Sequence, residues 1–473
     1  AMRFWMDRGI AGFRIDVVNA IKKAPGLPDK DPHKRGLQFP AELVTKQEGV
    51  HTFIQEMHRE VFSHYPDCFT VGEGCLTGIE DVARFTNPEN RELMMMFHFD
   101  IAMLGCGPLG KFDFRKGYRF TIRDFKRVVN RWQLSMQEKN GWTGNYLSNH
   151  DQPRQVSRFG SEKTPELRRA SARALALLNL TLRGTPFLYQ GEECGMTNCR
   201  LSKEEWKDFE AINDYAVLQS MMRLPAPLAE KIIVKMTRDN ARTPVQWSGG
   251  RNAGFTDGTP WMRVNPNYRE INIEEDVLRM DSVVNFYKKA IALHHAHPAL
   301  TLGTYAPVDE KNKRVLAYLR RGETETLLVA INLSDKQAKV SFPRLNAREC
   351  LLYTHSSDML DGYSAMSKAS VLRPLGIEWN GERPRVYLTD EEHAFARTLL
   401  AQAGLQPEQR LITLDPTHRQ PTRRWPLAHY AGLVSLLAER DASLRFLPLW
   451  GPGEEAEIQE LSRLCPAGSL LLP

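Results

Sequence analysis

Gly12-Phe13-Arg14-Ile15-Asp16 is the stretch whose reading decides the fold, a short apolar and β-prone run whose last polar side chains emerge at its end. Two later stretches share its grammar. Phe69-Thr70-Val71-Gly72-Glu73 runs into a carboxylate, and Asn145-Tyr146-Leu147-Ser148-Asn149-His150-Asp151 runs into a histidine and a further carboxylate. In a barrel of parallel strands the C-terminal strand ends converge on one face, so carboxylates far apart in sequence become spatial neighbours. Strands over 93–99 and 185–189 bring the predicted number to five. Helical periodicity falls between them. Phe53, Ile54, Met57, Val61 and Phe62 predict a helix over 50–63, with others over 124–132 and 165–182. A helix is also expected to begin in 17–23, and Asp281 offers an N-cap to one that carries Val283, Val284, Tyr287 and Ile291 and stops near Pro298. Strand and helix alternate, which argues an α/β fold. Residues 24–47, rich in Pro, Gly and Lys, read as a long loop at the carboxyl end of the first strand, where loops shape substrate sites.

Composition narrows the partners. The 473 residues are 42% hydrophobic and 25% charged, enough for two to four domains with sizeable cores. The formal charge of +6 comes from 63 basic and 57 acidic residues spread along the chain, without the basic runs that a phosphate backbone requires, so no nucleic-acid partner is expected. No apolar run reaches a membrane span of roughly 20 residues. The seven cysteines are odd in number and lack CxxC spacing, which points to small buried side chains in a reducing cytoplasm rather than disulfides or metal sites. No cofactor or metal is expected, and oligomeric state is left open.

Between residues 1 and 373 the motifs resemble those of the α-amylase superfamily of glycoside hydrolases, within it the oligo-1,6-glucosidase and α-glucosidase group. The resemblance rests on Gly12 to Asp16, Val71 to Glu73, Asn149-His150-Asp151-Gln152-Pro153-Arg154, Gly184-Thr185-Pro186, Gln190-Gly191-Glu192-Glu193, Asp239-Asn240-Ala241-Arg242-Thr243-Pro244 with Gln246-Trp247, Asn252-Ala253-Gly254-Phe255, and Asn265-Pro266-Asn267-Tyr268. It implies that the five strands are strands four to eight of a (β/α)8 barrel over 1–300, so that the chain begins in mid-barrel, followed by a small β-sandwich over 301–373. Period-two patterning from Arg314 to Arg320 and from Thr326 to Leu333 agrees with the second element.

The resemblance also assigns roles. Asp16 becomes the nucleophile of a retaining mechanism, Glu73 the general acid/base and Asp151 the transition-state stabiliser. Arg14 would keep Asp16 ionised, while desolvation and the neighbouring charges of Asp16 and Asp151 would hold Glu73 protonated. His150 would donate to sugar hydroxyls. Arg242 resembles an arginine that pairs with an aspartate outside this chain and is expected to lack a partner here. Val17 matches members that prefer α-1,6 links, and a pocket closed by the 24–47 loop would favour short oligosaccharides over starch. Glu192 and Glu193 read as structural, and Trp247, Trp261 and Tyr268 as core side chains in preference to sugar-stacking platforms.

Lys368 is the last lysine, and every later side chain of that charge class is arginine, a shift that marks a boundary. Residues 374–473 read as βαβα, half of a doubly wound sheet. Arg423-Arg424-Trp425-Pro426 and Gly451-Pro452-Gly453-Glu454 resemble the C-terminal, nucleotide-sugar-binding half of lipopolysaccharide heptosyltransferases, with Arg423 where a phosphate-contacting lysine is usual. The alternatives to hydrolysis are thus nucleotide-sugar-dependent heptosyl transfer by the tail, or a chain whose two partial folds catalyse nothing. The open sheet edges of a mid-barrel start argue that this chain turns over slowly.

Overall fold

The computed structural model describes residues 1–35, 38, 41–45, 47–107, 110–113, 119–220, 222–279, 281–341, 390–417, 425–451 and 453–472. Two compact units divide the chain, Ala1–Asn380 and Gly381–Pro473. In the first, β1 (Gly12–Ile15), β2 (Phe69–Glu73) and β3 (Met95–Phe97) pair in parallel in chain order, as do β4 (Gly144–Asn145) and β5 (Thr185–Pro186). A parallel bridge between Met96 and Thr143 joins the two sets, so all five form one arc of an α/β barrel. The closeness of β1 and β2 demands glycine at position 12, since a Cβ there would lie 2.1 Å from the Phe69 carbonyl oxygen.

Helices return the chain between strands: α1 (Gly49–Glu60), α2 (Ile79–Thr86), α3 (Ile122–Glu138) and α4 (Pro165–Thr181). Local chemistry sets their ends. The Thr121 hydroxyl accepts from the Asp124 amide at 3.2 Å while the Asp124 carboxylate accepts from the Thr121 amide at 2.9 Å, a reciprocal cap that starts α3. The Thr164 hydroxyl caps α4 by accepting from the Leu167 amide at 3.2 Å, with Pro165 at the first position. On α3, Phe125, Val129, Trp132 and Met136 recur at helical spacing and are all buried. Trp132 and Met136 join Met96, Val82 and Phe85 under the arc, whereas Phe125 and Val129 join Leu175 and Leu178 of α4. Each large side chain withdrawn from water in this way contributes about 1.5–3 kcal/mol.

After β5 come α5 (Phe209–Ser220), α6 (Ala226–Met236) and α7 (Val283–Ala296), and then an antiparallel sheet of β6 (Thr304–Val308), β7 (Val315–Arg321) and β8 (Thr326–Asn332). The sheet shares the core of α3 and α4 through Tyr305, Leu316 and Tyr318. Buried cations fasten it there. Arg320 donates to the carbonyls of Thr181 and Gly303 at 2.6 and 2.9 Å, and Lys126 donates to those of Asp309 and Asn312 at 3.1 and 2.9 Å.

The second unit contains α8 (Asp390–Gln402), β9 (Arg410–Leu414), α9 (Leu427–Arg440), β10 (Leu444–Pro448) and α10 (Glu455–Leu464). β9 and β10 are parallel, and Leu414, Val434, Leu444 and Phe446 form the core against α9. Among the described residues no helix of the chain is long and apolar enough to cross a membrane.

Several expectations need correction. Residues 17–23 do not open a long helix but a three-residue turn, Val18–Ala20, because Val17 adopts the left-handed conformation at φ 37°. Ser282, not Asp281, caps α7, while Asp281 is drawn off by Arg169 at 2.5 Å. β4 and β5 span two residues each, so Asp151 lies on a loop beyond a strand instead of at its end. Among the described residues the β region is one three-stranded sheet; the remainder of the expected sandwich, Cys350 and Arg423 lie outside them.

Candidate active site

Register builds the first half of the site. Ile15 of β1 is opposite Gly72 of β2, so the next residues, Asp16 and Glu73, emerge side by side from adjacent strands. Parallel strands run about 4.8 Å apart, which makes the backbones of the two residues neighbours. Arg14, two residues before Asp16 and therefore on the same side of the strand, ties them together. Its Nη1 bonds Asp16 Oδ1, and its Nη2 lies 2.9 Å from Glu73 Oε2. The Val17 amide donates to that same Glu73 oxygen at 3.2 Å. A β-branched residue at positive φ is a true backbone outlier, and the strained turn is what aims this amide at Glu73.

The two carboxyl groups sit in opposite environments. The Asp16 side chain is 76% exposed and that of Glu73 only 7%. Hydrogen bonds from Arg14 and then Glu73 hold Asp16 below the usual carboxylate range. Burial pushes Glu73 up, against the pull of Arg14 and the Val17 amide. Asp16 is thus held below and Glu73 above the ordinary carboxyl range, the ordering that acid-assisted nucleophilic displacement needs.

Asp151 forms the second half, set by loops. Its Oδ1 is 2.9 Å from Arg242 Nη2 and 3.5 Å from Arg238 Nη1, and its Oδ2 is 3.1 Å from His150 Nε2. Arg242 also donates to the His150 carbonyl at 3.0 Å. The expectation that Arg242 lacks a partner is therefore corrected: Asp151 is close by on the facing loop and neutralises it. The two halves sense one another, since the charge of His150 helps lower Asp16 and that of Asp151 acts on Arg14.

Sequence reasoning missed three residues that hold this arrangement. Arg238 rests on buried Asp208, with Nη2 to Oδ1 at 2.7 Å, and reaches Asp151 with its other arm. Its spacing of four from Arg242, across the turn Asp239–Arg242, was the readable signal. Arg154, fully buried, donates to the carbonyls of Gln190, Asn240 and Ala241 at 2.5, 3.2 and 3.0 Å. It binds the Asp151 loop to the end of β5 and to the segment bearing Arg242. Arg154 closes the Asn149 to Arg154 motif, but neither periodicity nor charge pattern marks it as a buried brace. Trp247 and Trp261 are exposed, contrary to the core reading.

The family profile described as the α-amylase catalytic domain matches residues 1–303, and that of the maltogenic amylase C-terminal domain matches residues 305–357. The chain belongs to the α-amylase family. An oligo-1,6-glucosidase of Parageobacillus thermoglucosidasius is 42% identical over 346 residues, 72% of this chain and 60% of that protein. A trehalose-6-phosphate hydrolase of Bacillus subtilis is 37% identical over 72% of this chain and 59% of its own. Among solved structures, the trehalose-6-phosphate hydrolase of Bacillus licheniformis superposes with a TM-score of 0.68 at 38% identity, covering 77% of this chain and 64% of that one. An isomaltulose synthase of Erwinia rhapontici, solved with sucrose, superposes with a TM-score of 0.64 at 38% identity, covering 71% and 58%. The chain thus spans about three fifths of the length of these α-amylase family relatives.

Proposed function

We propose that the first unit hydrolyses α-glucosidic bonds of short oligosaccharides by a retaining double displacement, with α-1,6 links preferred. The observation that carries this reading is the Arg14 guanidinium spanning Asp16 and Glu73 at adjacent strand ends. In this mechanism exposed, ionised Asp16 attacks the anomeric carbon, and Glu73 protonates the leaving oxygen and then activates water. Asp151 stabilises the charge that develops on the sugar ring, Arg14 holds Asp16 ionised, Arg242 pairs with Asp151, His150 donates to sugar hydroxyls, and Val17 directly follows the nucleophile. Family relatives whose names specify oligo-1,6-glucosidase support the linkage. Initial rates on isomaltose, maltose and soluble starch, with Asp16→Asn as the control, test the reading. The expected order is isomaltose first and starch last, with every rate lost in the variant. A preference for starch, or an Asp16→Asn variant as active as the parent, would overturn it.

The same reading divides the chain into barrel 1–300, β domain 301–373 and tail 374–473. For the tail we infer a doubly wound half-domain of the heptosyltransferase kind. It is supported by the parallel β9–β10 pair and by Glu454, which accepts from Thr417 at 2.6 Å and from the Gly451 amide at 2.8 Å and so joins the loops at the two strand ends. A cytoplasmic location is supported by six free thiols among the described residues.

A further inference from the structure

Glu192 is a buried carboxyl group that the proposed displacement does not use. It sits on a short turn, Glu192–Cys194, just past the end of β5, and touches side chains from two other elements. Ser148, three residues before Asp151, donates its hydroxyl to Glu192 Oε1 at 2.5 Å. Tyr287 of α7 lies 3.5 Å from Oε2, and Gln155 donates to the Tyr287 hydroxyl at 3.1 Å. Ser148, Gln155 and Tyr287 are all buried. The charged groups facing the turn are Arg154 from the β4 loop, Arg168 from α4, Asp276 from the short helix Ile273–Asp276, and Glu193 on the turn itself. None of them makes an ion pair with Glu192 among the described residues. Arg154 and Arg168 spend their donors on backbone carbonyls instead.

We infer that Glu192 is a positioning residue, whose buried carboxyl group, through Ser148, fixes where the His150–Asp151 loop sits against the end of β5 and α7. The inference rests on reading Asp151 as part of the catalytic site. Its physical basis is that a carboxyl group out of water with no paired cation is tolerated as the neutral acid, and that a negative charge there is costly. Burial accordingly pushes Glu192 up to about 7 from an ordinary value of 4.5. Because the folded value is raised, the stabilisation from this group is complete below about 4.5 and is lost as pH rises through about 7. The Ser148 hydroxyl favours the charged form but burial outweighs it, so above about 7 opening of the brace to water relieves the charge and frees the loop bearing Asp151.

Two measurements on the full chain, neither needing turnover, test this. The first is the melting midpoint from about pH 5 to about pH 8 in the parent and in Glu192→Gln, whose amide keeps the shape and cannot ionise. The parent is expected to lose about 4 °C more than the variant over that range. The second is hydrogen exchange of amides 146–152, corrected for the intrinsic effect of pH. Exchange should quicken between about pH 6 and about pH 8 in the parent and stay flat in Glu192→Gln. In Ser148→Ala it should be fast at every pH. Identical pH dependence in the parent and Glu192→Gln, or unchanged exchange in Ser148→Ala, would overturn the inference. Failure of hydrolysis with these results intact would instead count against the proposed reaction alone.

Discussion

The two halves of the site are held by different physics. Asp16 and Glu73 meet because β1 and β2 pair in register, so backbone hydrogen bonds fix them to within the pleat of a sheet. Asp151 has no strand beneath it, and its place depends on buried side chains, with Arg154 and Ser148 fastening its loop and Arg238 and Arg242 gripping its carboxylate. A sheet edge carries its geometry in every ladder bond, whereas a loop concentrates it in a few groups whose loss nothing nearby makes good. The first half should therefore fail only when the reacting groups themselves change, and the second should fail when residues far from the chemistry do.

Removing the proposed acid is the harshest break. Glu73→Gln should lower kcat by about 10²–10⁴-fold on substrates with poor leaving groups while the melting midpoint holds, as steady-state kinetics and calorimetry would show together. Arg154→Ala should lower stability as well as kcat. It strands buried carbonyls that now accept from one guanidinium, and denaturant titration is expected to show a loss of about 3 to 5 kcal/mol. A loss below about 1 kcal/mol would mean that the Asp151 loop does not depend on this brace.

A gentler change separates the carboxyl groups of the first half. Arg14 holds both Asp16 and Glu73 down, so Arg14→Gln should raise both and carry both limbs of the pH–rate profile to higher pH, by about one unit. Movement of the acid limb alone would show that Arg14 serves Asp16 only. At the bottom of the scale, Lys163→Ala removes a solvent-exposed contact with Asp335, between the α4 side and the end of the antiparallel sheet. Kinetics and melting midpoint should both stay within error of the parent.

The same contrast explains what could be read from the sequence. The strand ends at Asp16 and Glu73 were legible because an apolar run that stops in a charged residue is a local signal, and an α/β fold followed from the alternation of strands and helices, whereas the arc of a barrel followed only from the family resemblance. Asp151 was legible as a residue but not as a position. Its strand shrank to Gly144–Asn145, and the span from Tyr146 onward is held by side chains that carry no periodicity. Asp281 was misread as a cap because Ser282 competes for the same helix start and Arg169 for the same carboxylate, a choice that only tertiary packing makes. Asp208 looks in sequence like any charged surface residue, and Arg154, although it closes a motif, carries no local sign of burial. Their burial became visible only when the loops carrying them closed over one another.

The central claim is that Asp16 attacks the sugar while Glu73 stays protonated beside it. It is tested most directly by incubating the full chain with a fluorinated α-glucosyl fluoride, in which electron withdrawal slows hydrolysis of the glycosyl-enzyme, and mapping the adduct by peptide mass spectrometry. The account predicts a single hexosyl ester on the peptide containing Asp16, absent from Asp16→Asn and retained in Glu73→Gln because the fluoride leaves without acid assistance. An adduct on Glu73 or Asp151, or no adduct where the fluoride is nevertheless consumed, would contradict it.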